Sequence, residues 1–184
     1  YTVNFVCDNN GFTLYDLVSY DRKHNEENGE NNRDGKDYNN SWNCGEEGDT
    51  KNRKILVQRL RNRKNAMCFV LLSQGIPMIY AGDEFGNSQN GNNNAYCQDN
   101  ETGWLDWSAL RKNRKFYNFI CTLINFRRNH KVLHIEKELV QSDYKYFGLP
   151  DISYHGSKAW YPEMEHYNRH LGILLCGRYA EENE

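Results

Sequence analysis

Twice along this chain a short apolar run ends in a turn, passes into a long polar loop and emerges in a helix. That order constrains the fold more than any other feature. Residues 3–7, Val-Asn-Phe-Val-Cys, are β-branched and aromatic and predict a strand that stops at the turn signal Asp8-Asn9-Asn10-Gly11. Leu14, Leu17 and Val18 predict a short helix within 13–20. From Asp21 to Thr50 there is no period at all, and a loop of that length is either functional or disordered. Ile55, Leu56, Leu60, Met67, Val70 and Leu71 predict a helix over 54–74 with this stripe in the core, stopped by Gly75. Ile76 to Gly82 is an apolar run suited to a buried parallel strand, ending in Gly82-Asp83-Glu84-Phe85-Gly86. A second polar loop spans 87–102, and Phe116, Phe119, Ile120, Leu123 and Phe126 predict a helix over 108–129. Beyond Leu133, Tyr-, Ile- and Leu-rich runs at 139–147, 151–155 and 171–176 predict strands and a shift to a β-domain. Strand and helix alternating, with loops at the strands' carboxyl ends, is the repeat of a parallel α/β sheet or barrel.

Charge excludes some partners. With 23 Lys+Arg against 25 Asp+Glu the net charge is −2, which argues against nucleic acid or an anionic membrane held by bulk charge. No run approaches the roughly 18 apolar residues of a membrane span. The start at Tyr1-Thr2-Val3-Asn4, with no Met and no apolar leader, reads as a chain cut from something longer and without a signal peptide. The polarity comes from amides: 25 Asn stand beside 13 Tyr, 8 Phe and 4 Trp. Aromatic faces stack on the apolar faces of sugar rings while amides and carboxylates bond their hydroxyls, so the mixture suits a sugar-facing surface. The six Cys show no zinc spacing. Cys68 and Cys121 read as small buried hydrophobes, and reduced thiols in a cytoplasm are expected. The Glu30–Asp34 stretch starts with Glu and has Ser41 where a calcium loop needs its closing Glu, so it is rejected as one, and no metal or other cofactor is expected.

Several long words, in order, then resemble one family. Val3-Asn4-Phe5-Val6 and Gly11-Phe12-Thr13-Leu14-Tyr15-Asp16-Leu17-Val18-Ser19-Tyr20 resemble the seventh-strand region of isoamylase-type glycogen debranching enzymes, glycoside hydrolases of the α-amylase superfamily. So do Lys23-His24-Asn25-Glu26, the run Asn28 to Gly35, and Ser41-Trp42-Asn43-Cys44-Gly45. The match continues through Leu72 to Met78, Ala81 to Gly86, Gln89 to Asn100 and Trp104-Leu105-Asp106-Trp107, and it extends to Gly148–Gly156 and Lys158-Ala159-Trp160. The resemblance implies an α/β fold: the last two βα units of a (β/α)8 TIM barrel over residues 1–133, then the first strands of a C-terminal β-sandwich domain over 134–184. A closed barrel needs about 250 residues, which two units cannot supply.

The resemblance also implies chemistry, a glycoside hydrolase acting on α-1,6 branches of α-glucans. Retaining hydrolysis needs a carboxylate nucleophile and a carboxylic acid about 5–5.5 Å apart, and the family's pair comes from earlier strands. The catalytic position expected here is a His-Asp pair just before Gly11, where the Asp stabilises the transition state. Counting back without a gap puts Asn9 in the His place and Asn10 in the Asp place. An amide at Asn10 carries no charge, and losing one preorganised electrostatic group costs about 2.7–4 kcal/mol of barrier. Asp8 can supply the carboxylate only if the alignment shifts by two residues, about 6–7 Å along an extended strand. Asp8, Asn9, Trp42 and Asn93 are the expected substrate-binding residues. Asp83-Glu84 reads as a structural turn, His24 as solvated or hydrogen-bonded, and Trp104 and Trp107 as buried packing. The partner expected is an α-glucan oligosaccharide or polysaccharide, and the two-unit piece is expected to self-associate or to need a missing N-terminal half. The competing readings are a non-catalytic α-glucan-binding remnant or pseudoenzyme and one half of a split glycosidase.

Overall fold

Val3–Asn4 forms strand β1, and Ile76–Pro77 forms β2 beside it in parallel, Val3 paired with Ile76 and Asn4 with Pro77. The computed structural model describes residues 2–181 of the chain. Between the two strands run helix α1 (Leu14–Leu17), a long loop and helix α2 (Arg53–Leu72), which together make one βαβ unit. After β2 come a second loop, α3 (Ser108–Lys112) and α4 (Arg114–Asn129), then the antiparallel pair β3 (Ile152–His155) and β4 (Gly172–Leu175), and α5 (Arg178–Glu181). The chain divides within α4 into two compact units, Thr2–Asn125 and the residues from Phe126 onward. No helix of the described residues is long and apolar enough to cross a membrane.

The strands are shorter than the sequence predicts. Ile76 N–H bonds Thr2 O at 2.8 Å and Met78 N–H bonds Asn4 O at 2.9 Å, after which residues 5–11 leave the ladder for a turn. The backbones meet closely at Gly75: at φ +99, a Cβ there would come within 2.6 Å of Thr2 O. Ile76 is half exposed rather than buried, because a two-stranded sheet leaves one face and both edges uncovered. Thr13 caps α1 by accepting from Asp16 N at 3.2 Å, and Asn52 caps α2 by accepting from Lys54 N at 3.1 Å.

The core of the first unit gathers Cys7, Leu14, Met67, Leu71, Phe116 and Ile120, with Leu60, Ile79 and Phe119 packed against it. The buried face of α2 departs from the predicted stripe. Arg59, Arg63, Met67, Val70 and Leu71 face inward, while Leu56 and Val57 are exposed. Two arginines therefore hold positions that hydrophobic periodicity assigns to Ile55 and Leu56. Arg59 is buried because it reaches loop carbonyls: Nη1 donates to Gly48 O at 2.6 Å, Nε and Nη2 donate to Asn43 O at 3.3 and 2.9 Å, and Nη2 also donates to Glu46 O. Arg63 lies between the rings of Tyr15 and Phe116, 5.1 and 4.8 Å from their centroids.

Four other expectations change. The single helix over 108–129 is broken at Asn113, whose Nδ2 turns aside to donate to Phe85 O at 3.0 Å. The run 139–147 is not a strand: Asp143 accepts from Phe147 N and Gly148 N at 2.7 and 2.8 Å, closing a turn, and Gln141 and Tyr146 take positive φ. Trp104 and Trp107 are exposed rather than packed inside, Trp107 lying against Phe85 with centroids 5.3 Å apart. Cys68 and Cys121 are only half-buried, whereas Cys7 and Cys176 are buried. In the second unit Tyr179 is the buried anchor, donating to Asp143 Oδ1 at 2.8 Å and Leu149 O at 3.0 Å between the rings of Tyr144 and Phe147.

Replacing Arg59 by Ala strands the carbonyls of Asn43, Glu46 and Gly48, of which Gly48 is buried, and removes the staple that ties α2 to residues 43–48. The expected loss is about 2–3 kcal/mol, read as a lowered denaturant midpoint. Arg59→Lys recovers less than half of it, because one ammonium cannot reproduce the planar fork.

Candidate functional site at the strand carboxyl ends

Both long loops leave the carboxyl ends of β1 and β2, the end at which parallel α/β sheets place their ligands. Asp8 sits at the first of these exits. Its Oδ1 accepts from Asn10 N at 2.8 Å, so residues 8–10 form a tight turn. That overturns a premise of the sequence reading. The carboxylate of Asp8 is not an extended strand's two-residue step from Asn10; it lies against Asn10's own backbone. Asn9 and Asn10 are exposed on this turn.

Asp8, Gly11, Phe12 and Leu17 line a cleft of about 150 Å3 whose other wall is Lys36, Tyr38, Asn39 and Asn40 of the first loop. Tyr38 is 79% exposed there. Of the two aromatics in this loop, sequence reasoning selects Trp42, and the structure sets Tyr38 at the cleft. Trp42 is exposed and bonds through its backbone to Leu17 O at 3.0 Å, outside the cleft lining. The signal that could have found Tyr38 is its neighbours: Asn39 and Asn40 supply the amides that an aromatic platform needs beside it.

Asn93 lies deeper, beneath the cleft wall, and is fully buried. Its Nδ2 donates to Lys36 O at 2.8 Å and Asn39 Oδ1 at 2.6 Å, holding two cleft residues from behind. Asn93 also exchanges bonds with Asn25: Asn25 Nδ2 donates to Asn93 Oδ1 at 2.8 Å and Asn93 N donates to Asn25 Oδ1 at 3.0 Å. Gly35 packs on this pair, where a Cβ would come within 2.7 Å of Asn25 Nδ2. Asp34 takes amide protons from Asn28 at 2.7 Å and Asn94 at 2.9 Å, which hold its carboxyl below the usual range. Lys23 donates to Asp34 O at 2.8 Å and pairs with Asp37 at 2.7 Å. The Asn-rich loops are thus folded against each other by side-chain amides.

Two buried carboxylates fix this arrangement to the core. Asp16 accepts from Ser88 Oγ at 2.5 Å, Gln89 N at 2.7 Å and Gly91 N at 3.4 Å, clamping the second loop onto α1. Burial pushes its pKa up to about 6 against the pull of those donors. Asp83 accepts from Leu14 N at 2.7 Å, and burial, with the charges of Glu84 and Asp16, raises its pKa to about 7. Asp83-Glu84 therefore forms the structural turn the sequence predicts, a single 3-10 turn in which Glu84 also accepts from Gly82 N at 2.9 Å. His24 bonds Glu47 Oε1 at 3.3 Å, and Glu47 also accepts from the backbone of Asp21 and Arg22 and from Asn43 Nδ2.

A carboxyl whose pKa is raised in the folded state binds its proton more tightly there than in the unfolded chain. Its stabilising share is present below the unfolded value near 3.8 and is lost as pH rises through about 6 for Asp16 and about 7 for Asp83. Asp83→Asn keeps an acceptor for Leu14 N and removes the charge. It is expected to gain stability relative to the parent from pH 4 to 7, with a difference in slope approaching about one proton, measured by urea unfolding at stepped pH. An unchanged slope would place the titration elsewhere.

No family model matches the chain. It is similar to a protein named glycogen operon protein GlgX homolog of Mycobacterium tuberculosis, at 54% identity over 131 residues, 71% of this chain and 18% of that protein. It is 48% identical over 130 residues to the chloroplastic isoamylase 1 of Arabidopsis thaliana, covering 69% of this chain and 16% of the relative. The glycogen debranching enzyme of Pectobacterium carotovorum matches over 182 residues at 43% identity, 97% of this chain and 26% of its own length. The chain therefore spans about a fifth of the length of these relatives. Among solved structures, apo pullulanase from Paenibacillus barengoltzii superposes with a TM-score of 0.56 at 20% identity, over 84% of this chain and 18% of that one, a likeness of fold. A mutant of the same pullulanase, complexed with maltotetraose, gives 0.52 at 25% identity over 72% and 16%.

Proposed function

We propose that this chain, a homologue of the isoamylases and glycogen-debranching proteins, carries the sugar-facing end of the last two βα units of a debranching hydrolase's catalytic barrel and the first strands of its C-terminal β-domain. The intact reaction is hydrolysis of α-1,6 branches in glycogen or starch, in a cytoplasmic setting. The observation that carries the reading is the parallel β1–β2 pair with Asp8, Asn9 and Asn10 at its carboxyl end, faced by Tyr38 and Asn39, in a chain that matches a glycogen debranching enzyme over 182 residues.

In this reading the turn at Asp8–Asn10 grips hydroxyls of the reacting sugar. Asn10 donates and accepts without charge, and Asp8, hydrogen-bonded to Asn10's backbone, supplies the negative charge that an oxocarbenium-like transition state attracts. Tyr38 and Trp42 offer exposed rings for stacking, and Asn93 holds the wall beneath them. These residues bind and polarise; they include no second carboxylate placed to protonate the leaving oxygen. Expressed alone, the 184 residues bind α-glucan without cutting it, the behaviour of a binding remnant or pseudoenzyme. Isothermal titration with a branched maltooligosaccharide is expected to show binding that Asp8→Asn weakens about tenfold, with no reducing ends released over the same incubation. Release of reducing ends by the parent chain and not by Asp8→Asn would reverse the non-catalytic assignment.

A specific observation favours a second arrangement, in which the chain is one half of a split enzyme. Val3, Phe5, Val6, Phe69 and Ile76 are 41–74% exposed about the open two-stranded sheet, a face suited to further strands. Covering it requires the N-terminal half of a barrel or a second copy of this chain. Light scattering is expected to show self-association that Phe69→Ser reduces; a concentration-independent monomer would remove this reading.

A further inference from the structure

On residues separate from the Asp8 cleft, Tyr15, Ser88, Asn90, Trp104, Asp106 and Lys112 enclose a second cavity of about 540 Å3. The volume lies within the range of small-molecule sites. Trp104 presents a 57% exposed ring, and its Nε1 donates to Asp99 Oδ1 at 3.0 Å, so the indole is held at one edge with its face uncovered. Asp106 is fixed from both sides: its N donates to Asn87 Oδ1 at 2.8 Å and its Oδ1 accepts from Ser108 N at 2.8 Å. Asp49 accepts from Tyr15 OH at 3.2 Å. The wall at Gly86 is bare backbone at φ +77, and Arg63 Nη1 lies close behind it, where a Cβ would come within 2.6 Å.

The lining selects a ligand class. Asp49, Glu101 and Asp106 outnumber Lys112, which stands 3.9 Å from Asp106, so phosphates and carboxylates are repelled. Among the described residues no three His, Cys, Asp or Glu side chains come together closely enough to hold a metal ion, so these carboxylates are dispersed around the rim. An uncovered aromatic face with separated hydrogen-bonding groups fits a neutral polyhydroxylated ring.

We propose that this cavity is a second saccharide-binding site, which takes a short neutral oligosaccharide stacked on Trp104 and hydrogen-bonded by Asp106 and Asn90. The choice of an α-glucan as its occupant rests on the proposed function; the cavity itself does not. Both sites hang on one loop, since Ser88 and Gln89 are clamped to Asp16 while Asn93 braces the Asp8 cleft.

The test is a titration of the isotope-labelled chain with maltotriose, followed by NMR at the Trp indole N–H and backbone amide signals. The expected result is a saturable shift of the Trp104 indole and the Ala109 amide. Trp104→Ala should weaken the Ala109 response at least tenfold, and Trp42→Ala should leave it unchanged. Trp104 is a surface residue, and Trp104→Phe, which keeps a smaller stacking face, should fall between the two. Shifts confined to residues 8–11 and 38–40 would overturn this inference and leave the proposed function standing. Shifts at Trp104 and Ala109 alone would support this site and count against glucan binding at Asp8. No shift anywhere would overturn both.

Discussion

Asn25 and Asn93 exchange two hydrogen bonds across 68 residues of sequence, and the polar half of the first unit depends on that exchange. A loop of some thirty residues without α-helix or strand loses backbone entropy of about 1–2 kcal/mol per ordered residue, and little apolar burial is available here to offset it. The loops compensate with bonds to each other: Asn28 to Asp34 and Asn94 O, Asn92 to Asn28, and Asn93 to Lys36 and Asn39. Each buried amide offers two N–H donors and an acceptor oxygen at once, whereas an ionised carboxylate only accepts and a hydroxyl has a single proton to donate. The Asn enrichment is therefore a device for ordering loops, and depth separates these amides from the exposed ones. Asn25 and Asn93 are fully buried, whereas Asn9 and Asn10 stand in solvent.

The loops are joined to the core by groups of opposite charge. Asp16 and Asp83 reach from α1 and the turn after β2, and Arg59 and Arg63 reach from α2. Arg59 converts one side of a helix into a clamp on residues 43–48, and Arg63 converts another into a cation between two rings. Carbonyl dipoles hold Arg59 and aromatic faces hold Arg63, in the place a carboxylate would ordinarily take. The two carboxylates are likewise held by N–H and O–H donors, and burial raises both toward neutral pH. The same loop that braces the Asp8 cleft from behind forms one wall of the Trp104 cavity, so the positions of both cavities follow from this clamp.

Much of the fold is legible in the residues. The turn at Asp8–Gly11, the stop at Gly75 and the strands at 152–155 and 172–175 fall where turn chemistry and apolar runs place them. Periodicity misplaces the buried face of α2, because a count of apolar residues has no way to credit an arginine whose acceptors lie 11 to 16 residues away. It also runs one helix through Asn113, whose side chain answers to Phe85 O, and reads a strand where Asp143 closes a turn. The Arg59 and Asn113 misses are polar side chains bonding to backbone outside their own elements, and the Asp143 miss is a side chain that closes a local turn on backbone four and five residues on. Among the candidate residues, Asp8, Asn9 and Asn10 are found on one turn, and Tyr38 replaces Trp42 at the cleft beside it.

By itself the sequence determined the alternation of strand, loop and helix, the similarity to the debranching proteins and the presence of Asn9 and Asn10 just before Gly11. Those properties are local in the chain and survive as words. The tertiary structure decided which amides are exposed and which are buried struts, and it brought the carboxylate of Asp8 onto the backbone N–H of Asn10. It also left Trp104 uncovered above a cavity. Each of these depends on hydrogen bonds and burial between segments far apart in sequence, and such pairings are specified only when the chain has closed on itself.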